Sequence, residues 1–184
     1  CIRDRTVTGA ITVAQANALN ALTPGIVTAT ISDGDIATLS GLTDNLDANG
    51  VQVNDGAQNP SDVDNAYTIT PTDTTVAASA LTALNAKTSV NVNATNVTTV
   101  TGSLAELSAV YATGGIVAGI ANLGNEAITV SDTGSLNADQ FETINGLTSG
   151  VVTVTGSVTN LTGTVANVSG LFTGKAANTP TVVF

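Results

Sequence analysis

The sequence predicts a repeating α/β fold, a right-handed solenoid of short parallel β-strands with short capped helices on the opposite wall. Three observations predict it. One phrase recurs along the chain. Between its copies, β-branched runs alternate with Ala/Leu stretches that open on polar caps. The composition also suits a narrow interior: 42% of residues are hydrophobic but only 3% aromatic, and Trp is absent.

The recurrence is direct. Asn20-Ala-Leu22-Thr23-Pro-Gly25-Ile-Val27-Thr28-Ala-Thr30 aligns without gaps to Asn145-Gly-Leu147-Thr148-Ser-Gly150-Val-Val152-Thr153-Val-Thr155, with seven of eleven positions identical. The offset of 125 residues is about five units of roughly 25 residues each. Partial copies stand at Leu39-Ser-Gly-Leu42-Thr43, Leu81-Thr-Ala-Leu84, Leu104-Ala-Glu-Leu107 and Ile144-Asn-Gly-Leu147.

Each copy follows one order. Strands are predicted at Ile26–Ile31, Tyr67–Thr70, Val90–Val92, Ile128–Val130 and Val151–Thr155, because Val, Ile and Thr stiffen χ1 and suit a pleated surface. Capping boxes follow from Thr12-Val-Ala-Gln15 and Ser103-Leu-Ala-Glu106. Asp33-Gly-Asp35 reads as a turn plus a helix cap. Helical faces are formed by Leu19 and Leu22, by Val76, Ala80 and Leu84, by Leu104 and Leu107, and by Phe141 and Ile144. Gly25, Gly114 with Gly115, and Gly150 are the predicted helix stops. Val158, Leu161, Val165 and Val168 read as strand or short helical turns. A strand followed by a helix, repeated, requires parallel strands, and units this short must stack to bury their apolar faces. The expectation is a single domain over residues 1–184, broken by an acidic insertion loop at about residues 44–73 with a short strand at Val51–Val53.

Asn122-Leu-Gly-Asn-Glu-Ala-Ile-Thr-Val-Ser-Asp-Thr-Gly134, Leu147-Thr-Ser-Gly-Val-Val-Thr153 and Thr101-Gly-Ser-Leu-Ala-Glu-Leu-Ser-Ala-Val-Tyr111 resemble repeats of very long secreted or cell-surface proteins of marine cyanobacteria. The resemblance covers most of the chain outside the acidic loop. It implies an extracellular structural role without catalytic residues. Leu19-x-x-Leu22 leading into a strand is also similar to leucine-rich-repeat solenoids.

Composition removes most chemistry. There is no His and one Cys, so imidazole bases, Cys-His pairs, zinc knuckles and internal disulfides are all excluded. A carbohydrate hydrolase needs paired acids and sugar-stacking aromatics, and Tyr67 and Tyr111 are the only tyrosines. Four basic residues against fourteen acidic ones, with a net charge of −10, argue against nucleic acid. The same charge favours solubility at a mean hydropathy of +0.31. No apolar run approaches the ~18–20 residues of a membrane span. The chain shows neither a signal peptide nor an initiator Met, and reads as a processed chain or part of a longer one. Cys1 is either a lipid-bearing residue, the one membrane link considered, or a boundary residue.

Candidate sites are few. Asp55, Asp62 and Asp64, with Asn54, Asn59 and Asn65, present hard oxygen ligands suited to Ca²⁺; the alternative is a solvated loop. No other cofactor and no small-molecule substrate is indicated. Four glycosylation sequons, at Asn93, Asn96, Asn160 and Asn167, are accounted for by the abundance of Asn and Thr. Thr-x-Thr pairs at Thr28/Thr30, Thr68/Thr70 and Thr153/Thr155 would suit ice binding only if the pattern held in each turn, and Val90–Asn93 breaks it. The ends carry more. Thr6–Val13 and Thr179–Phe184 are apolar, strand-like and without cap helices, so Ile11, Val13, Val182, Val183 and Phe184 are assembly residues of two sticky edges. The partner implied is another copy of the chain. The function expected is a non-enzymatic extracellular structural subunit, polymerising head-to-tail into a filament or surface layer. The alternative is a stalk or binding segment of a cell-surface adhesin or fibre, stabilised by calcium.

Overall fold

The computed structural model describes residues 4–23, 25–43, 65–112, 119–173 and 181–182. Twelve strands and six helices alternate among them. In chain order they are β1 (Arg5–Ile11), α1 (Val13–Asn20), β2 (Val27–Ile31), α2 (Ile36–Leu39), β3 (Ala66–Thr68), β4 (Thr75–Ala77), α3 (Ala78–Asn85), β5 (Val92–Asn93), β6 (Thr99–Gly102), α4 (Leu104–Tyr111), β7 (Ile120–Ala121), β8 (Ala127–Val130), β9 (Gly134–Asn137), α5 (Ala138–Asn145), β10 (Val152–Val154), β11 (Val158–Thr162), α6 (Val165–Thr173) and β12 (Thr181–Val182). The fold is mixed α/β, with parallel strands in several small sheets. None of the described helices is long and apolar enough to cross a membrane.

Each described strand pairing is parallel, and the pairing distance is close to the sequence repeat. Thr75 pairs with Thr99, and Ile128 with Val152, both 24 residues on. Thr99 pairs with Ala127, and Val92 with Ile120, both 28 residues on. Parallel partners need such a crossover, and the short helices supply it.

The residues group into two compact units whose segments alternate along the chain, in place of the single expected domain. The first contains the sheet β1-β2-β3 and the pair β5-β7. The Asn93 N–H donates to the Ile69 carbonyl (2.9 Å), extending the ladder beyond β3. Val27, Ala29 and Ile31 of β2 point inward against Val13 and Ala16 of α1, Leu39, Leu42, Tyr67, Ile69, Leu84 and Val92. The second unit contains the five-stranded order β12-β10-β8-β6-β4 and the pair β11-β9. Its buried residues include Val100, Leu104, Leu107, Ile128, Val130, Leu136, Phe141, Ile144, Val152 and Val154. In this unit α5 packs against both α4 and α6.

Several expectations are corrected. The insertion loop ends earlier than residue 73: Tyr67 and Ile69 are fully buried, and β3 pairs with β2. Residues 44–64, including the predicted strand Val51–Val53, lie outside the described residues, as do Gly114 and Gly115. Val76 lies in β4, ahead of α3, and not on a helical face. Gly25 and Gly150 do not end helices. α1 closes at Ala21 and α5 at Gly146, both in right-handed helical conformation. Gly150 instead lets backbones touch, since a Cβ there would overlap the Glu126 carbonyl, and Gly156 meets Asp132 in the same way. The last unit resolves into β11 followed by α6.

The second unit's aliphatic interior sets an expectation. Phe141 is fully buried and Phe172 is 62% exposed. Phe141→Ala should destabilise by about 3–5 kcal/mol, and Phe172→Ala by well under 1 kcal/mol, as read from denaturant midpoints.

Candidate functional site

Helices of four to nine residues leave most of their first N–H groups without an intrahelical partner. Here those groups are met twice over. Within each turn the sequence supplies a cap. Thr12 and Gln15 form a capping box on α1, and Ser103 and Glu106 form one on α4, as the spacing predicts. Asp35 caps α2 by accepting the Thr38 N–H (2.8 Å).

A second carboxylate then arrives from the succeeding turn. The Val13 N–H at the start of α1 donates to Asp33 (2.6 Å). The Ile36 N–H of α2 donates to Asp73 (2.7 Å), and the Leu104 N–H of α4 to Asp132 (2.6 Å). The last helix reverses the direction. Asp139 of α5 accepts the Thr164 N–H (3.0 Å), the Thr164 hydroxyl (2.9 Å) and the Asn167 side-chain amide (2.8 Å) of the turn that follows. Negative charge at a helix N-terminus is also favoured by the macrodipole.

Among the described residues, eight of the nine carboxylates accept a backbone N–H: Asp4, Asp33, Asp35, Asp73, Glu106, Glu126, Asp132 and Asp139. The acidity is therefore architectural as well as solubilising. Glu126 is only 2% exposed and accepts from Gly124 (2.7 Å) and Asn125 (3.1 Å), while the Tyr111 hydroxyl donates to its other oxygen.

Two neutral motifs complete the turns. The threonine of the recurring phrase is buried at Thr23, Thr88 and Thr148. Thr148 accepts the Gly150 N–H (3.0 Å) and donates to the Glu126 carbonyl (2.6 Å). Thr88 accepts from Val90 and Tyr67 and donates back to the Tyr67 carbonyl. The asparagine that closes α1 enters a network: Asn65 Nδ2 donates to Asn20 Oδ1 (3.1 Å), and Asn65 Oδ1 accepts the Val27 N–H (2.8 Å). Asn85 and Asn145 close α3 and α5 in the same place, and the Oδ1 of each is buried with no donor among the described residues.

The sequence-predicted sites fare unevenly. Asp55, Asp62 and Asp64 lie outside the described residues, as do Cys1, Val183 and Phe184. Among the described residues, no three carboxylates or thiols are grouped as a metal site. Ile11 ends β1 and packs on the first core. Val13 is corrected: it opens α1, is buried, and has no edge to offer. Val182 lies in β12, in register with Val154. The cross-turn aspartates were missed, although Ser32-Asp33, Thr72-Asp73 and Ser131-Asp132 share a hydroxyl-acid pair after a β-branched run. The chain matches no protein-family model, no curated protein and no solved structure.

Two expectations follow from these bonds. The carboxyls of Asp35, Glu106 and Asp139 are held below their ordinary values, first by backbone N–H donors on Thr38, Ser103 and Thr164 respectively. A depressed folded-state value means that the unfolded chain binds more protons. Their contribution is thus complete above the unfolded value and is lost as pH falls through the folded one. Denaturant midpoints should fall steeply between about pH 4.5 and pH 2.5, and Asp139→Asn should flatten part of that slope. In the asparagine network, Asn20→Ala should cost about 1–3 kcal/mol because it strands the buried Asn65 amide. Asn145→Ala, whose Oδ1 already lacks a donor, should cost clearly less in the same measurement.

Proposed function

We propose that the chain is a non-enzymatic structural protein of the cell exterior, a right-handed solenoid that polymerises head-to-tail into a filament or surface layer. The observation that carries this reading is the parallel ladder itself. Partners recur at 24 and 28 residues, so each strand is a template for another of the same direction. β1 is hydrogen-bonded on one side only, to β2, and β12 stands at the rim of its sheet beside β10. An open strand edge recruits another strand unless it is covered. Because Val13 belongs to α1, the first edge is Arg5–Ile11, and the second is Thr181–Val182.

Chemistry supports the same reading. The chain has no imidazole, and the described carboxylates are largely occupied by backbone N–H donors. Repetition of a heterologous contact without closure yields a fibre. Negative-stain images of the purified protein should show unbranched fibres that lengthen with concentration. Deleting Thr181–Phe184 should leave short particles. Wild-type protein that remains as single particles at every concentration would overturn the reading.

A further inference from the structure

The helices suggest where one copy would meet the next, an inference that rests on the assembly reading above. At about 100° per residue, a helix can be read as a buried stripe with two flanks. In α1 the buried residues are Val13, Ala16 and Asn20. Asn17 lies on one flank and reaches the succeeding turn, donating to the Gly41 carbonyl and accepting the Thr43 N–H. The other flank carries Gln15, Leu19 and Leu22. Leu19 is half-buried and Leu22 is 73% exposed. In α5 the same hand holds. Asp139 and Glu142 lie on the side of the succeeding helix, near Thr164, Asn167 and Gly170.

In α6 the flank toward α5 is Asn167 and Gly170, and Leu171 is buried. The opposite flank, where a succeeding helix would lie, carries Val165, Val168 and Phe172. Val165 is 86% and Phe172 62% exposed. α5 has neighbours on both flanks, α4 and α6, and its Phe141 and Ile144 are completely buried. The two units therefore each present one apolar, uncharged helix flank, of opposite hand: α1 toward a preceding turn and α6 toward a succeeding one.

We propose that these flanks are the two halves of one contact between copies, with Val165 of α6 in one molecule seated against Leu19 and Leu22 of α1 in the next. The side-by-side helix packing of α4, α5 and α6 then continues across the joint. The contact is heterologous, so it propagates. Leu22→Glu and Val165→Glu each place a charge in the joint but touch no core. Each should raise the concentration for half-assembly by about tenfold or more, with the melting temperature of the isolated subunit unchanged.

The decisive experiment is disulfide trapping in a Cys1→Ser background, by mixing Leu22→Cys and Val165→Cys proteins under mild oxidation. A covalent dimer from the mixture, with neither protein dimerising alone, is the expected result. A dimer of Val165→Cys by itself would overturn the proposal in favour of α6-on-α6 pairing. Fibres from Leu22→Glu and Val165→Glu at wild-type concentration, with no trapped dimer, would overturn this contact and leave the assembly reading intact. A wild-type chain that sediments as a monomer at every concentration would overturn both.

Discussion

A helix of eight residues has about as many unsatisfied backbone groups at its ends as bonds within it, so it cannot stand without help from outside. In this chain that help comes from a neighbouring turn. Asp33, Asp73 and Asp132 each bond the first N–H of a helix that lies 20, 37 and 28 residues earlier. The bonds are short and charge-assisted, and each crosses from one turn to the next. A strand end therefore completes a helix start that belongs to a different segment. Local structure and stacking become one problem, because a turn without its successor keeps an unmet N–H at its helix.

Packing imposes the complementary limit. Each turn carries small aliphatic residues inward and allows backbones to meet at Gly150 and Gly156. Wider side chains at those glycines would push the rungs apart and lengthen the carboxylate bonds. Close rungs and cross-turn caps thus require each other. The buried threonines serve the same geometry. One hydroxyl closes the turn after the helix and, at Thr88 and Thr148, ties it to the strand of the preceding rung.

Much of this was legible in the sequence, for physical reasons. The 24–28-residue pairing distance follows from the recurrence of Leu-Thr-x-Gly, and the capping boxes on α1 and α4 follow from spacing alone. The five predicted strands correspond to β2, β3, β5, β8 and β10. What was hidden is the second strand of each turn. β4 and β9 run directly into α3 and α5, so Val76 resembled a helical residue and Gly134-Ser-Leu-Asn137 a loop. Periodicity cannot separate a three- or four-residue strand from the first turn of the helix it feeds. The aspartates were hidden for another reason. A charge on a surface turn looks solvated until the donor, far away in sequence, is seen beside it.

The threonine content can be explained in the same terms. Register places Thr101, Thr129, Thr153 and Thr181 side by side on β6, β8, β10 and β12, with Ala77 at the head of the row on β4. In a parallel ladder, identical residues stack on themselves, and a β-branched residue with a fixed χ1 does so at little entropic cost. A hydroxyl beside a methyl also tolerates both water and a neighbouring threonine, so one residue type suits every rung. The unusual composition, rich in Thr and Asp and poor in Lys and aromatics, is then what repetition of this turn requires: methyl-bearing rungs inside and out, and an acid wherever a short helix begins.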